Sequence, residues 1–282
     1  MRTLRRILRQ LIPPIFFTVW RKLTGKPAGP QRPVTFDGMY PTLAAVPIQA
    51  DKAIYENPEI LGLLRAEVED DLAFLKSYTQ CMPPQINTSE SPMLLPQLVA
   101  TVAEQEKRTI RVLDFGGGLG TAYRNCIRML PASVQYEFII VELPDMVDIG
   151  NDVFADYANV TFCEDLAAVS GGDIDIVNIG SSLEYIEEYK ALLDSLNGFK
   201  AKHVLFTDMF FYGGETYATR QKNFAAADSF YWMFGFPEIE AIMQAGGYRQ
   251  IYASANLEIQ TFANVPEDRQ IPNSSNVLFL RD

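Results

Sequence analysis

The chain has 282 residues, 48% of them hydrophobic and 21% charged, with a formal net charge of −11. That apolar content supports a packed core and excludes global disorder. The acidic balance argues against a nucleic-acid partner, which would call for a basic face. The charge is uneven: residues 1–33 hold eight Lys and Arg and no acid, leaving 16 Lys and Arg against 35 Asp and Glu in the remainder.

Arg2, Arg5, Arg6 and Arg9 precede an apolar run from Leu11 to Trp20, and Arg21 and Lys22 follow it. The run is about half the ~20 residues needed to cross a bilayer. Its flanking charges and lack of a small-residue cleavage site do not read as a secretory signal, and Pro13-Pro14 interrupts a helix. Three readings remain for residues 1–26: an interfacial anchor on anionic lipid, a basic tail, or a helix packed on a partner subunit. Gly25 to Pro33, with three prolines and two glycines, reads as a linker. The expected organisation is a basic tail and linker over 1–33, a helical cap region over 34–107 and an α/β domain over 108–282.

From Asn57 to Met82, apolar Ile60, Leu61, Leu64, Val68, Leu72 and Leu75 recur at helical spacing, and a second helix is expected from Pro92 to Lys107. These helices should lie beside the sheet as a cap on the ligand cleft. Ile110 to Leu113 then reads as a buried strand ending in Asp114, followed by Gly116, Gly117, Gly118 and Gly120 and a helix from Thr121 to Leu130. A strand, a glycine turn and a helix in this order form a nucleotide-type ligand site. The dinucleotide spacing fails, because Gly116 and Gly118 would require a third glycine where Thr121 stands.

Six further strand-like runs follow: 136–142, ending in Glu142; 160–163, leading to Glu164 and Asp165; 174–179, leading to Gly180, Ser181 and Ser182; 203–207, leading to Asp208; 251–254; and 276–280. The predicted fold is α/β, a seven-stranded Rossmann-like sheet whose last two strands, with no helix between them, pair antiparallel. Cys81, Cys126 and Cys163 lack metal-site spacing and fit a reducing, cytoplasmic compartment. The single histidine, His203, begins a strand and reads as structural. It allows no His-based metal triad, and no carboxylate cluster calls for a metal.

Asp114-x-Gly116-x-Gly118-x-Gly120 resembles the first motif of class I S-adenosylmethionine (SAM) methyltransferases. Several motifs occur together: Phe36-x-Gly38-x-Tyr40, Leu113 to Gly120, Val141-Glu142-x-Pro144 and Ser181 to Glu187. The combination resembles a methyltransferase family of bacterial O-antigen and other surface-polysaccharide gene clusters. The resemblance covers roughly residues 34–282, strongest over 110–210 and weaker over 211–250. It implies SAM held by Asp114, Gly116, Gly117, Gly118, Gly120, Glu142, Leu143, Glu164, Asp165, Asn178 and Ser181. Asp114 would face the methionine ammonium, Glu142 the ribose hydroxyls, and Glu164 and Asp165 the adenine amine. It further implies a glycan acceptor and a cytoplasmic setting, on the inner face of the membrane if residues 1–26 anchor.

Methyl transfer to a hydroxyl needs alignment and a base. Ser181, Ser182, Glu184, Tyr185, Asp208 and Tyr212 are expected at the rim, with Asp208, Glu184 and Tyr185 as catalytic candidates. Asp208 reads equally as a turn cap, and Glu184 and Tyr185 as surface charge and core aromatic. The aromatic stretch 210–236 suits a movable lid over a sugar or, alternatively, packing between elements. Arg220, Gln221 and Lys222 suit either a phosphate contact or a solvated turn. Other acceptors (a phenol, a carboxylate or an amine) and a non-catalytic SAM-binding scaffold in a polysaccharide assembly complex are the competing readings. The oligomeric state is left open.

Overall fold

The computed structural model describes residues 34–48, 58–77, 93–222, 228–256, 260–271 and 273–282. The basic segment 1–33 and Cys81 lie outside the described residues.

The seven expected strands form one sheet. They are β2 (Ile110–Phe115), β3 (Tyr136–Val141), β4 (Val160–Cys163), β5 (Ile176–Gly180), β6 (His203–Met209), β10 (Tyr248–Ala255) and β12 (Ser275–Arg281). Their order is β10-β12-β6-β5-β2-β3-β4. The pairs from β6 to β4 are parallel, whereas β12 runs antiparallel to both β6 and β10. The chain moves outward from β2 through β3 to β4 and then returns to β5 on the other side of β2. This reversal opens a crevice beyond the carboxyl ends of β2 and β5, where open α/β sheets bind ligands.

Both faces of the sheet are covered. Ile110, Val112 and Leu205 belong to a core shared with α1 (Pro58–Ser77), α2 (Leu94–Glu106), α3 (Thr121–Met129) and α4 (Pro144–Val153). Leu113, Val204 and Phe206 face the opposite way, toward α5 (Tyr189–Asn197) and α6 (Phe236–Ala245). Strands buried on both sides read as continuous apolar runs, which is why the central strands were legible. The expected stripe on α1 is observed: Leu61, Leu64, Val68, Leu72 and Leu75 are all buried beside the sheet. Asp71 on α1 fixes this helix by accepting from Arg124 and Arg128 of α3. No helix among the described residues is long and apolar enough to cross a membrane.

A second sheet was not anticipated. It has the order β11-β1-β8-β9-β7, with β1 (Thr35–Tyr40), β7 (Phe211–Tyr212), β8 (Tyr217–Lys222), β9 (Ser229–Gly235) and β11 (Thr261–Ala263). Thr35 pairs with Thr261 on one side and Lys222 on the other, so sequence-distant segments meet. The aromatic stretch is therefore a packed sheet and not a lid. Along β9, Tyr231 and Met233 enter a core with Phe36, Phe210 and Tyr217, while Trp232 and Phe234 enter the core beside α5. Arg220 and Lys222 are not in a turn: both lie on β8 and pair with Asp228 and Asp37. The end of β9 is drawn so close to the 213–216 turn that a Cβ on Gly235 would sit 2.2 Å from the Gly214 carbonyl oxygen. Gly235→Ala should therefore lower stability by about 1–3 kcal/mol, the usual cost of overpacking. Chemical denaturation would read this, and an unchanged midpoint would contradict the close backbone approach.

Candidate functional site

The site begins at the crevice where β2 and β5 end. Asp114 is 1% exposed, and its neighbour in register, Asn178, donates Nδ2 to Asp114 Oδ1 at 2.7 Å. Asp114 Oδ2 has no hydrogen-bond partner, and neither does Asn178 Oδ1. Burial pushes the Asp114 carboxyl up to about 6; the Asn178 bond opposes the shift and the nearby Glu142 adds to it. Asn178 thus reaches the site through Asp114.

After Asp114 the chain turns sharply, with φ of +65° at Gly116, +58° at Gly118 and +71° at Gly120. L side chains rarely adopt such values. At Gly118 a side chain would point into open space, so this face of the turn is free to meet a ligand. Glu142, at the end of β3, holds the turn: Oε1 accepts from Gly118 N–H and Oε2 from Leu143 N–H, both at 2.8 Å. Its pKa is raised by burial, against the pull of those two N–H groups. Each oxygen keeps a lone pair for a ligand hydroxyl. Leu143 is 48% exposed beside it, an apolar surface suited to one face of a flat ring. Glu164 is exposed after β4, whereas Asp165 accepts from Ala167 N–H at 2.9 Å and caps a short 3-10 turn. The residues expected to hold SAM therefore surround one turn and the three strand ends beside it. Ser182, expected at the rim, instead braces the turn: its hydroxyl donates to the Phe115 carbonyl at 2.9 Å and ties β5 to it.

A second polar group occupies the ends of β5 and β6. Ser181 is exposed with φ +49°, and its N–H donates to the Thr207 carbonyl. Asp208 follows with φ +57°. Its N–H donates to Asn276 Oδ1 at 3.1 Å and its Oδ1 accepts from Asn256 Nδ2 at 2.5 Å. Asn276 also donates to Asn256 Oδ1, so β12 and the end of β10 clamp Asp208. Left-handed backbone at non-glycine residues costs energy and persists only where the surroundings impose it. Neither asparagine was singled out in the sequence, because their convergence depends on the antiparallel pairing of the last strands.

Glu184, expected at the rim, is fully buried. Its Oε1 accepts from Tyr231 Oη at 2.9 Å and its Oε2 has no partner. Burial pushes this carboxyl up to about 8; its own backbone N–H and the Tyr231 bond oppose the shift, and the Asp208 charge adds to it. Tyr185 packs its ring edge-on against Tyr231 and donates to Gln221 Oε1 at 3.2 Å. Tyr212 lies away from this group, donating to the Glu215 carbonyl and packing on Tyr217 in the second sheet. His203 is buried at the opposite end of β6, where burial lowers its pKa. Among the described residues, no three His, Cys, Asp or Glu side chains are arranged to hold a metal ion.

No protein-family model and no curated protein matches the chain. Solved structures do. Magnesium protoporphyrin IX methyltransferase from Synechocystis PCC 6803, with bound SAM, is 15% identical over 79% of this chain and 97% of its own, at a TM-score of 0.43. CalS10, an amino pentose methyltransferase from Micromonospora echinaspora with bound SAM, is 14% identical over 67% and 90%, at 0.44. The N-terminal domain of EvdMO1, solved with S-adenosylhomocysteine (SAH) and D-fucose, is 12% identical over 77% and 96%, at 0.46. Scores of this size add nothing to the strand order observed directly.

The two raised carboxyls give stability a pH dependence of known sign. Asp114 and Glu184 start from 3.8 and 4.5 and rise to about 6 and about 8 on folding. The folded chain therefore binds more protons than the unfolded chain between those limits. Stability should fall as pH rises, through about 6 for Asp114 and about 8 for Glu184. Thermal melts from pH 5 to 9 should show Glu184→Gln losing less stability than wild type across the upper step. An equal loss in both proteins would contradict a buried, protonated Glu184.

Proposed function

We propose that this chain is a SAM-dependent methyltransferase that methylates a hydroxyl on a sugar of a surface glycan or its activated precursor. The observation that carries the methyl donor is the Glu142 carboxylate bonded to Gly118 N–H, beside open space over Gly118. The residues fit SAM chemically. Ribose hydroxyls are donors that Glu142 can accept, and the exposed Leu143 offers the adenine an apolar face. Asp114 Oδ2, buried without a partner, suits the ammonium of the methionine portion. Among the described residues, Asp114 and Glu142 form no ion pair with Lys or Arg, so the crevice favours a cation such as a sulfonium.

When bound, SAM would supply a methyl group on positively charged sulfur, which leaves as a neutral thioether as the acceptor oxygen takes the methyl. The chain must align that oxygen, exclude water and take its proton. Asp208, held at the end of β6 by two asparagines, is assigned as the proton acceptor. Ser181 and Tyr185 line the same end. The hydroxyl acceptor and the glycan setting rest on the family resemblance of the sequence motifs. So does a cytoplasmic location, with residues 1–26 on the inner membrane face.

Isothermal titration calorimetry with SAM and SAH tests the donor directly, and absence of binding up to millimolar ligand would sink the assignment. Gly118→Val should abolish that binding; its Cβ would meet no protein atom within 4 Å, but the φ of +58° strains a β-branched residue, so a retained thermal unfolding transition must accompany the loss. Asp208→Asn should lower turnover on the order of a hundredfold or more with SAM affinity spared. Unchanged turnover would remove Asp208 as the base. The acceptor itself is found by transfer of labelled methyl to nucleotide-sugar and lipid-linked glycan fractions. Label only in other small molecules would replace the glycan with another acceptor, and SAM binding without any transfer would favour a scaffold.

A further inference from the structure

The buried carboxyl of Glu184 is not explained by packing. A carboxyl group removed from water is costly unless it is paired or neutral. Glu184 is 0% exposed, its Oε2 has no partner among the described residues, and its carboxyl is held by its own backbone N–H and by the hydroxyl of Tyr231 on the second sheet. The titratable groups that bear on it are Tyr231 from β9, Asp208 from the end of β6 and Tyr185 beside it in the chain. None of them is a cation. Adjacent strand ends bring Glu184 and Asp208 together, because Gly180 pairs with Thr207 and Ser181 N–H bonds the Thr207 carbonyl.

We propose that Glu184 works as a neutral carboxylic acid: Tyr231 fixes Oε1 as the accepting oxygen, the proton stays on the buried Oε2, and Asp208, on the neighbouring strand end, alone takes the proton of the methyl acceptor. Glu184 is then a positioning residue and not a second base. This inference rests on the methyltransferase reading for the proton transfer, and on the buried geometry alone for the protonation state. Where surroundings differ this much, a fully buried carboxyl stays an acid while a partly exposed one nearby serves as the anion. Burial pushes the Glu184 group up to about 8, consistent with that division. Tyr231 acts as the selector of which oxygen keeps the proton, since its O–H occupies Oε1.

Substitution separates this role from that of a base. Glu184→Gln keeps an accepting oxygen for Tyr231 and a donor in place of Oε2–H, whereas Glu184→Ala removes both. With SAM affinity held constant by calorimetry, Glu184→Ala should lower kcat on the order of a hundredfold, as expected when a reacting group is misplaced. Glu184→Gln should recover most of that loss at pH 7. Wild-type kcat should also fall as pH rises through about 8, when the donor is lost, and Glu184→Gln should lack that fall. Glu184→Gln as inactive as Glu184→Ala would overturn the proposal and make the ionised carboxylate the working form. A second measurement needs no turnover and no substitution that risks the fold. Carbon-13 NMR of the full chain with labelled glutamate, bound to SAH, should show one glutamate carboxyl titrating far above the rest, shifted in Tyr231→Phe. If all glutamates titrate in the ordinary range, the proposal fails. Failure of SAM to bind would instead strike the methyltransferase reading and leave the titration in the free protein interpretable.

Discussion

The site is organised by the placement of carboxyl groups at the ends of parallel strands. Asp114 lies at the end of β2, Glu142 follows β3, the turn bearing Glu184 follows β5, and Asp208 lies at the end of β6. The first three lack a cationic partner among the described residues. Each is instead held by a neutral donor: the Asn178 amide, the Gly118 and Leu143 N–H groups, and the Tyr231 hydroxyl. Carboxylates without a cation, such as Asp114 and Glu142, cost stability, which the proposed cationic ligand would return. The glycine turn belongs to the same arrangement, because it lets backbone and not side chain meet both Glu142 and the space above it.

The second sheet gives that arrangement its depth. It delivers Tyr231 to Glu184 and stacks Tyr185 against Tyr231, with Phe36 and Phe210 packed behind. Its aromatic core joins β1, β8 and β9, segments separated by some 180 residues of chain at the Phe36–Gln221 pairing.

The main sheet was legible because its information is local. Apolar runs such as Ile110 to Leu113 and Phe138 to Val141 are bounded by acids and glycines, and the spacing between them leaves room for one helix each. Glu142 and the glycines could be placed for the same reason. The second sheet was hidden because Thr35–Tyr40 finds its partners, Thr261–Ala263 and Tyr217–Lys222, only far along the chain. In addition, Gly213-Gly214 and Arg220 to Lys222 imitate turn and loop chemistry. Glu184 was read as a rim residue because Ser181 to Glu187 is polar in sequence. Only the return of β9 buries it. Asp208 could be named as a strand-end acid, but the asparagine clamp from β12 and β10 arises from antiparallel register that no short motif encodes.

The crystal structure of the complex with SAH tests the central claim most directly. The account predicts adenosyl density over Gly118, with ribose hydroxyls within hydrogen-bond distance of Glu142 and the methionine amino group on the Asp114 side of the turn. Ligand density elsewhere, or a Glu142 carboxylate still bonded only to Gly118 and Leu143, would contradict it.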